Sequence, residues 1–258
     1  MGTCTLTVEQ TKILNHKSDA SHADNDWINL VVMVNDTLVL NETVPLANPK
    51  FTGQSQVNIF GDGDVALPWG FTVPCKNQDT VIATYSIINL SSYSFDDQAA
   101  AAAQFTQQMA DVVVPLYLKA AQVVLGVETA GVPEIIAELA GNDSVFNAFS
   151  SAIGNLLDAG FQDVLIPVLK QIADWVQILV TGRPDCNGLV LRDYVIFRPY
   201  QPANSLVISK TYEGQQNNPD CGEPPHTFLS LIMTRQFDKI ETGPLRKGGL
   251  VFHKQPVG

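Results

Sequence analysis

Two acidic loops hold the residues whose types best suit metal chemistry. The stretch Asp19-Ala20-Ser21-His22-Ala23-Asp24-Asn25-Asp26 precedes a strongly β-branched run, and Asp62-Gly63-Asp64 follows another extended segment. Calcium takes about six to eight oxygen ligands and accepts them from separate loops. Asp24, Asp26, Asp62 and Asp64 are therefore the candidate calcium ligands. Neither loop has the spacing or the terminal Glu of an EF-hand, and acidic turn residues also bond their own backbone. A solvated turn is the competing reading. His16 and His22 lie near the first loop, but the four histidines show no HxH or HExxH spacing.

Other chemistries lack their residue patterns. There is no GxSxG, and no Ser-x-x-Lys with its companion motifs, so no nucleophile stands out. The glycines form neither a dinucleotide nor a P-loop fingerprint. No catalytic residue can be assigned. Cys4, Cys75, Cys186 and Cys221 are widely spaced, which argues against a zinc ribbon or a thioredoxin-type site. They permit two disulfides in any of three pairings. The N-terminus shows no basic segment followed by an apolar run, which favours reduced thiols and a cytoplasmic or non-classically secreted protein. Asn-x-Ser/Thr triplets begin at Asn35, Asn41, Asn89 and Asn142 and carry meaning only in a secreted chain.

Charge narrows the partners. The chain of 258 residues carries a net charge of -11, and no Lys/Arg cluster offsets it, so nucleic acid is excluded as a partner. Charged residues are 16% of the chain, against about 25% in ordinary domains. Much of the surface is thus covered, by packing within the chain or by a partner.

The elements that would position the loops read as strands, then helices, then strands. Thr5–Val8, Trp27–Val34, Thr37–Leu40, Gln56–Phe60 and Thr80–Ile88 have alternating or β-branched patterns, with Asn35-Asp36 as a hairpin turn. Ser94-Phe95-Asp96-Asp97 caps an Ala-rich helical run over Gln98–Val124. Pro133 opens a short helix, and two more are expected over Val145–Leu157 and Phe161–Val180. The segments Asp111–Lys119 and Asp163–Lys170 echo each other around Pro115 and Pro167, where a helix would bend. Strands return at Gly188–Phe197, Ser205–Ser209 and Thr227–Phe237.

This order predicts an α+β fold: an antiparallel β-sandwich built from residues 1–94 and 183–258, with a helical insertion of about 85 residues over 95–182. Between Gln98 and Val127 only Asp111 and Lys119 are charged. A helix apolar on most sides is covered by its own fold, a partner or a membrane. The functional expectation is a non-catalytic binding or assembly protein, with calcium in the acidic loops and self-association or a protein partner through the helices. The alternatives are a membrane-active, toxin-like protein using those helices, or an enzyme with a pocket between sheet and helices.

Overall fold

The longest apolar runs become the most deeply placed strands. The computed structural model describes residues 2–15, 26–45, 63–65, 69–90, 95–126, 131–177, 188–200, 205–213 and 226–237. The strands are β1 (Gly2–Asn15), β2 (Asp26–Val34), β3 (Thr37–Pro45), β4 (Gly63–Val65), β5 (Trp69–Cys75) and β6 (Val81–Asn89), followed after the helices by β7 (Gly188–Phe197), β8 (Ser205–Glu213) and β9 (His226–Phe237). The helices are α1 (Phe95–Val113), α2 (Leu116–Leu125), α3 (Val132–Gly141) and α4 (Asp143–Gln177). The fold is α+β, with antiparallel sheets. One sheet runs β3-β2-β6-β7, and the other runs β4-β1-β9-β8 with β5 also paired to β1. The expected strand at Gln56–Phe60 lies outside the described residues.

All of β6, and β2 from Asp26 to Met33, are buried on both faces. Alternate side chains explain this. Ile28, Val32, Val81 and Phe197 join an apolar cluster with Cys4, Val73 and Tyr212 of the other sheet. Trp27, Met33, Ile82 and Ile196 point the opposite way, into a cluster with Phe105, Tyr117, Phe149 and Ile153 of the helices. Ring contacts tie the helices together: Phe105 meets Phe161 edge-on at 5.5 Å, and Tyr117 meets Phe149 at 5.6 Å. By length and composition Gln98–Leu125 could cross a membrane, but Phe105, Met109, Leu116 and Tyr117 within it belong to this core.

Turn chemistry locks the ends of the central strands. Asn35 adopts a left-handed backbone (φ 55°) between β2 and β3, a conformation Asn tolerates better than most residues. Its Nδ2 donates to Asp79 Oδ1 (3.1 Å), and its Oδ1 accepts from the Thr80 N–H (3.0 Å). Asp79 in turn accepts from the Lys76 N–H through Oδ2. The β2–β3 hairpin is thereby tied to the turn that carries the chain from β5 of the other sheet into β6.

Three local expectations change. Leu157 and Phe161 belong to one continuous helix, because α4 runs unbroken through Ala159-Gly160 and on past Pro167. Pro115 does interrupt its helix, separating α1 from α2. Strand β5 is not evident in the sequence, since Gly70 and Pro74 weaken its pattern; proline is tolerated there because, among the described residues, β5 is paired on one side, with β1. Finally, Cys4 and Cys75 are joined in a disulfide, which overturns the expectation of reduced thiols at these two positions. Pairing of β1 with β5 brings their Cα atoms to 5.8 Å, within disulfide reach. Cys186 and Cys221 lie outside the described residues.

Candidate functional site

Polar residues inside otherwise apolar strands mark a site on the helix-facing side of the four-stranded sheet. Strand register places Asn29 opposite Ser86, and Ser86 opposite Arg192. The adjacent row is Val31, Thr84 and Tyr194. Met109 of α1 and Leu157, Asp158 and Phe161 of α4 close over both rows, leaving a cavity of about 250 Å³.

A bulge in β7 sets which way Arg192 points. Ile87 pairs with Leu191 and Ile88 with Leu189, so Val190 is an extra residue. Leu189 packs on the helices, whereas Val190 and Leu191 both join the cluster between the sheets. Alternation then resumes one residue out of step, and Arg192 and Tyr194 face the helices. Bulges re-aim side chains in this manner. Were Val190 paired in the ladder like its neighbours, with no bulge, Arg192 would turn toward the other sheet.

Each wall has its own restraints. Asn29 Oδ1 lies 2.8 Å from the Thr106 hydroxyl of α1 and 3.0 Å from that of Thr43, while Asn29 Nδ2 donates to the Trp27 carbonyl (3.2 Å). The Tyr194 hydroxyl donates to the Ser150 carbonyl (3.3 Å). Arg192 stacks over the Phe161 ring at 4.9 Å and its Nη1 pairs with Asp158 at 2.9 Å. The Arg192 side chain is 28% exposed and that of Asp158 is 68% exposed, so the pair stands at the mouth of the cavity. Ser86 is 5% exposed, and its hydroxyl has no hydrogen-bond partner among the described residues.

Two glycines allow α4 to close this tightly. A Cβ on Gly154 would sit 2.6 Å from the Tyr194 hydroxyl oxygen, and one on Gly160 would sit 2.2 Å from Val112 Cγ1 of α1. Both distances are far inside van der Waals contact. The glycines flank Leu157 and Asp158 and hold the helical wall against the sheet.

On the other side of the same strands, Tyr85 and Asp193 reach across to Tyr212 of β8. The Tyr212 hydroxyl donates to Asp193 Oδ2 (3.0 Å) and lies 2.9 Å from the Tyr85 hydroxyl. Burial pushes the Tyr85 phenol well above its ordinary range, and the neighbouring Asp193 and Tyr212 add to the shift. Tyr212 moves the same way, again chiefly by burial. Neither phenol can act as a base near neutral pH. The lining residues include no His, Cys or Lys, so this arrangement can bind and orient but shows no nucleophile with a base beside it.

Of the acidic residues singled out from sequence, the two that are described fall in different sheets and are not among the cavity's lining residues. Asp26 is buried at the start of β2, opposite Asn89 in the four-stranded sheet. Asp64 lies in β4, opposite Lys12 of β1 in the other sheet. Asp24 and Asp62 lie outside the described residues. Among the described residues, no group of three or more His, Cys, Asp or Glu could hold a metal. The residues that do converge were legible in one respect: Arg192-Asp193 interrupts an apolar strand, as do Asn29 and Ser86 in theirs.

No family model, curated sequence or solved structure matches this chain. The functional reading therefore rests on the residues alone.

Proposed function

We propose that this chain is a non-catalytic binding protein whose ligand occupies the cavity between the four-stranded sheet and helices α1 and α4. The observation that carries the reading is a cleft of about 250 Å³, open at the Arg192–Asp158 pair, that combines apolar side chains (Val31, Met109, Leu157, Phe161) with a short row of polar groups (Asn29, Ser86, Arg192). Small-molecule sites have this composition, with a few placed polar groups setting orientation. In the same reading the two sheets form a sandwich, residues 95–182 are an insertion in it, and the helices serve as the lid of the site.

The reading is tested by a thermal-shift survey of small amphipathic compounds against the full chain and against a variant with a filled cavity, Leu157→Trp or Met109→Phe. A ligand at ten times its dissociation constant stabilises the folded state by about 1.4 kcal/mol. A compound that raises the melting temperature of the parent and not of the filled variants supports the reading. Equal shifts in parent and filled variants contradict it.

A further inference from the structure

We infer that the cavity takes a small carboxylic acid with an apolar body, its carboxylate held by Arg192 and Ser86. The inference rests on the cavity being a ligand site and names the class of ligand.

Three features point to a carboxylate. The Arg192 guanidinium is fixed in place by stacking on Phe161, but only its Nη1 is engaged, on the Asp158 side chain and, loosely at 3.4 Å, on the Asp158 carbonyl. Its Nε and Nη2 hydrogens have no acceptor among the described residues. Directly across the strand pair stands Ser86, whose hydroxyl also has no hydrogen-bond partner among the described residues. Cross-strand neighbours have Cβ atoms about 5 Å apart, so one planar group with two acceptor oxygens can meet the guanidinium fork and the hydroxyl together. A guanidinium fork matches a carboxylate in two parallel hydrogen bonds.

The competing anion is weakly held. Asp158 is largely exposed, and a surface ion pair of that kind contributes little, so an incoming carboxylate can displace it to solvent. The other carboxylate beside the cavity, Asp193, is committed on the far face of the strand to Tyr212 and on its second oxygen to the Tyr194 N–H (2.8 Å). Val31, Met109, Leu157 and Phe161 give the cavity an apolar side that suits a hydrocarbon body, beside the hydroxyl-bearing Thr84 and Tyr194. At ~30 Å³ per water, the cavity of about 250 Å³ holds a body the size of a medium-chain acid.

Calorimetric titration of the full chain with octanoate and with octan-1-ol tests this. Octanoate should bind at least about tenfold tighter, the worth of a charge-assisted hydrogen-bond pair. Arg192→Met should abolish the difference; Arg192→Lys, which keeps the charge and loses the fork, should retain only part of it and serves if the first variant fails to fold. Asp158→Asn should tighten octanoate by roughly two- to fivefold, because it removes the competitor, and leave octan-1-ol unchanged. Equal binding of acid and alcohol would overturn the carboxylate assignment while leaving the cavity as a ligand site. A preference for acid that survives Arg192→Met also overturns it. If neither probe binds, the reading of the cavity as a ligand site fails as well.

Discussion

Gly160→Ala and Gly141→Ala make the same chemical change in two helices, and the structure predicts opposite signs. In an open helical position Ala is favoured over Gly by up to about 1 kcal/mol, because Gly loses more backbone freedom on folding. Gly141 ends α3 with nothing within 4 Å of a would-be Cβ, so it should show that gain. Gly160 faces Val112 Cγ1 at 2.2 Å. Val112 is β-branched on a helix, where one rotamer dominates, so it cannot simply swing aside. Forcing α1 and α4 apart should cost about 1–3 kcal/mol, which outweighs the propensity gain. The two variants should thus differ by about 2 kcal/mol, or roughly 4–8 °C in melting temperature for a chain of this size. Thermal and urea unfolding of both variants measure the difference. A double-mutant cycle with Val112→Ala then localises it: truncating Val112 should relieve the Gly160→Ala penalty by about 1 kcal/mol or more. If Gly160→Ala stabilises as Gly141→Ala does, or the cycle shows no coupling, α1 and α4 do not meet as described and the helical wall of the cavity is misplaced.

Two further outcomes follow. Replacing both Cys4 and Cys75 by serine opens a loop spanning 71 residues of separation, which in the chain-entropy account removes about 4 kcal/mol of stability; thiol titration of the unfolded, unreduced parent should find neither cysteine, and an unchanged unfolding midpoint in the double variant would count against the bond. Alkali should unfold the protein: burial raises Tyr117 to about 12 and pushes Tyr85 and Tyr212 higher. Since the folded-state values lie above the unfolded value near 10, their contribution is intact below about pH 10 and is lost as pH rises toward 12 and beyond. Phenolate absorbance from these three residues should appear together with loss of structure, and normal titration near pH 10 in a folded protein would refute their burial.

The sequence disclosed the elements better than their meeting place. Trp27–Val34 and Thr80–Ile88 read as strands because their apolar runs are continuous, and the same continuity reflects burial on two faces. The helical run after Phe95 was legible from its Ala, Gln and Leu content. What could not be read was non-local. The bulge at Val190 leaves no mark in composition, yet it decides that Arg192 faces the helices. The β1–β5 pairing that brings Cys4 to Cys75 joins positions whose separation says nothing of their distance. The emphasis on Asp24, Asp26, Asp62 and Asp64 followed from residue type; Asp26 and Asp64 fall in different sheets, and Asp24 and Asp62 lie outside the described residues. Calorimetric titration of chelator-treated protein with calcium addresses that expectation separately from the cavity.

The central claim is that the ligand sits between the sheet and α1 and α4, and the Met109 methyl group reports on that place directly. The chain has four methionines, of which Met109 lines the cavity and Met33 packs in the neighbouring core without lining it. Methyl-labelled protein titrated with octanoate should show the Met109 resonance shifting in a saturable way while Met33 moves little, and the shift should vanish in Leu157→Trp. Saturable binding that leaves Met109 unmoved, or that persists in the filled variant, would contradict the account.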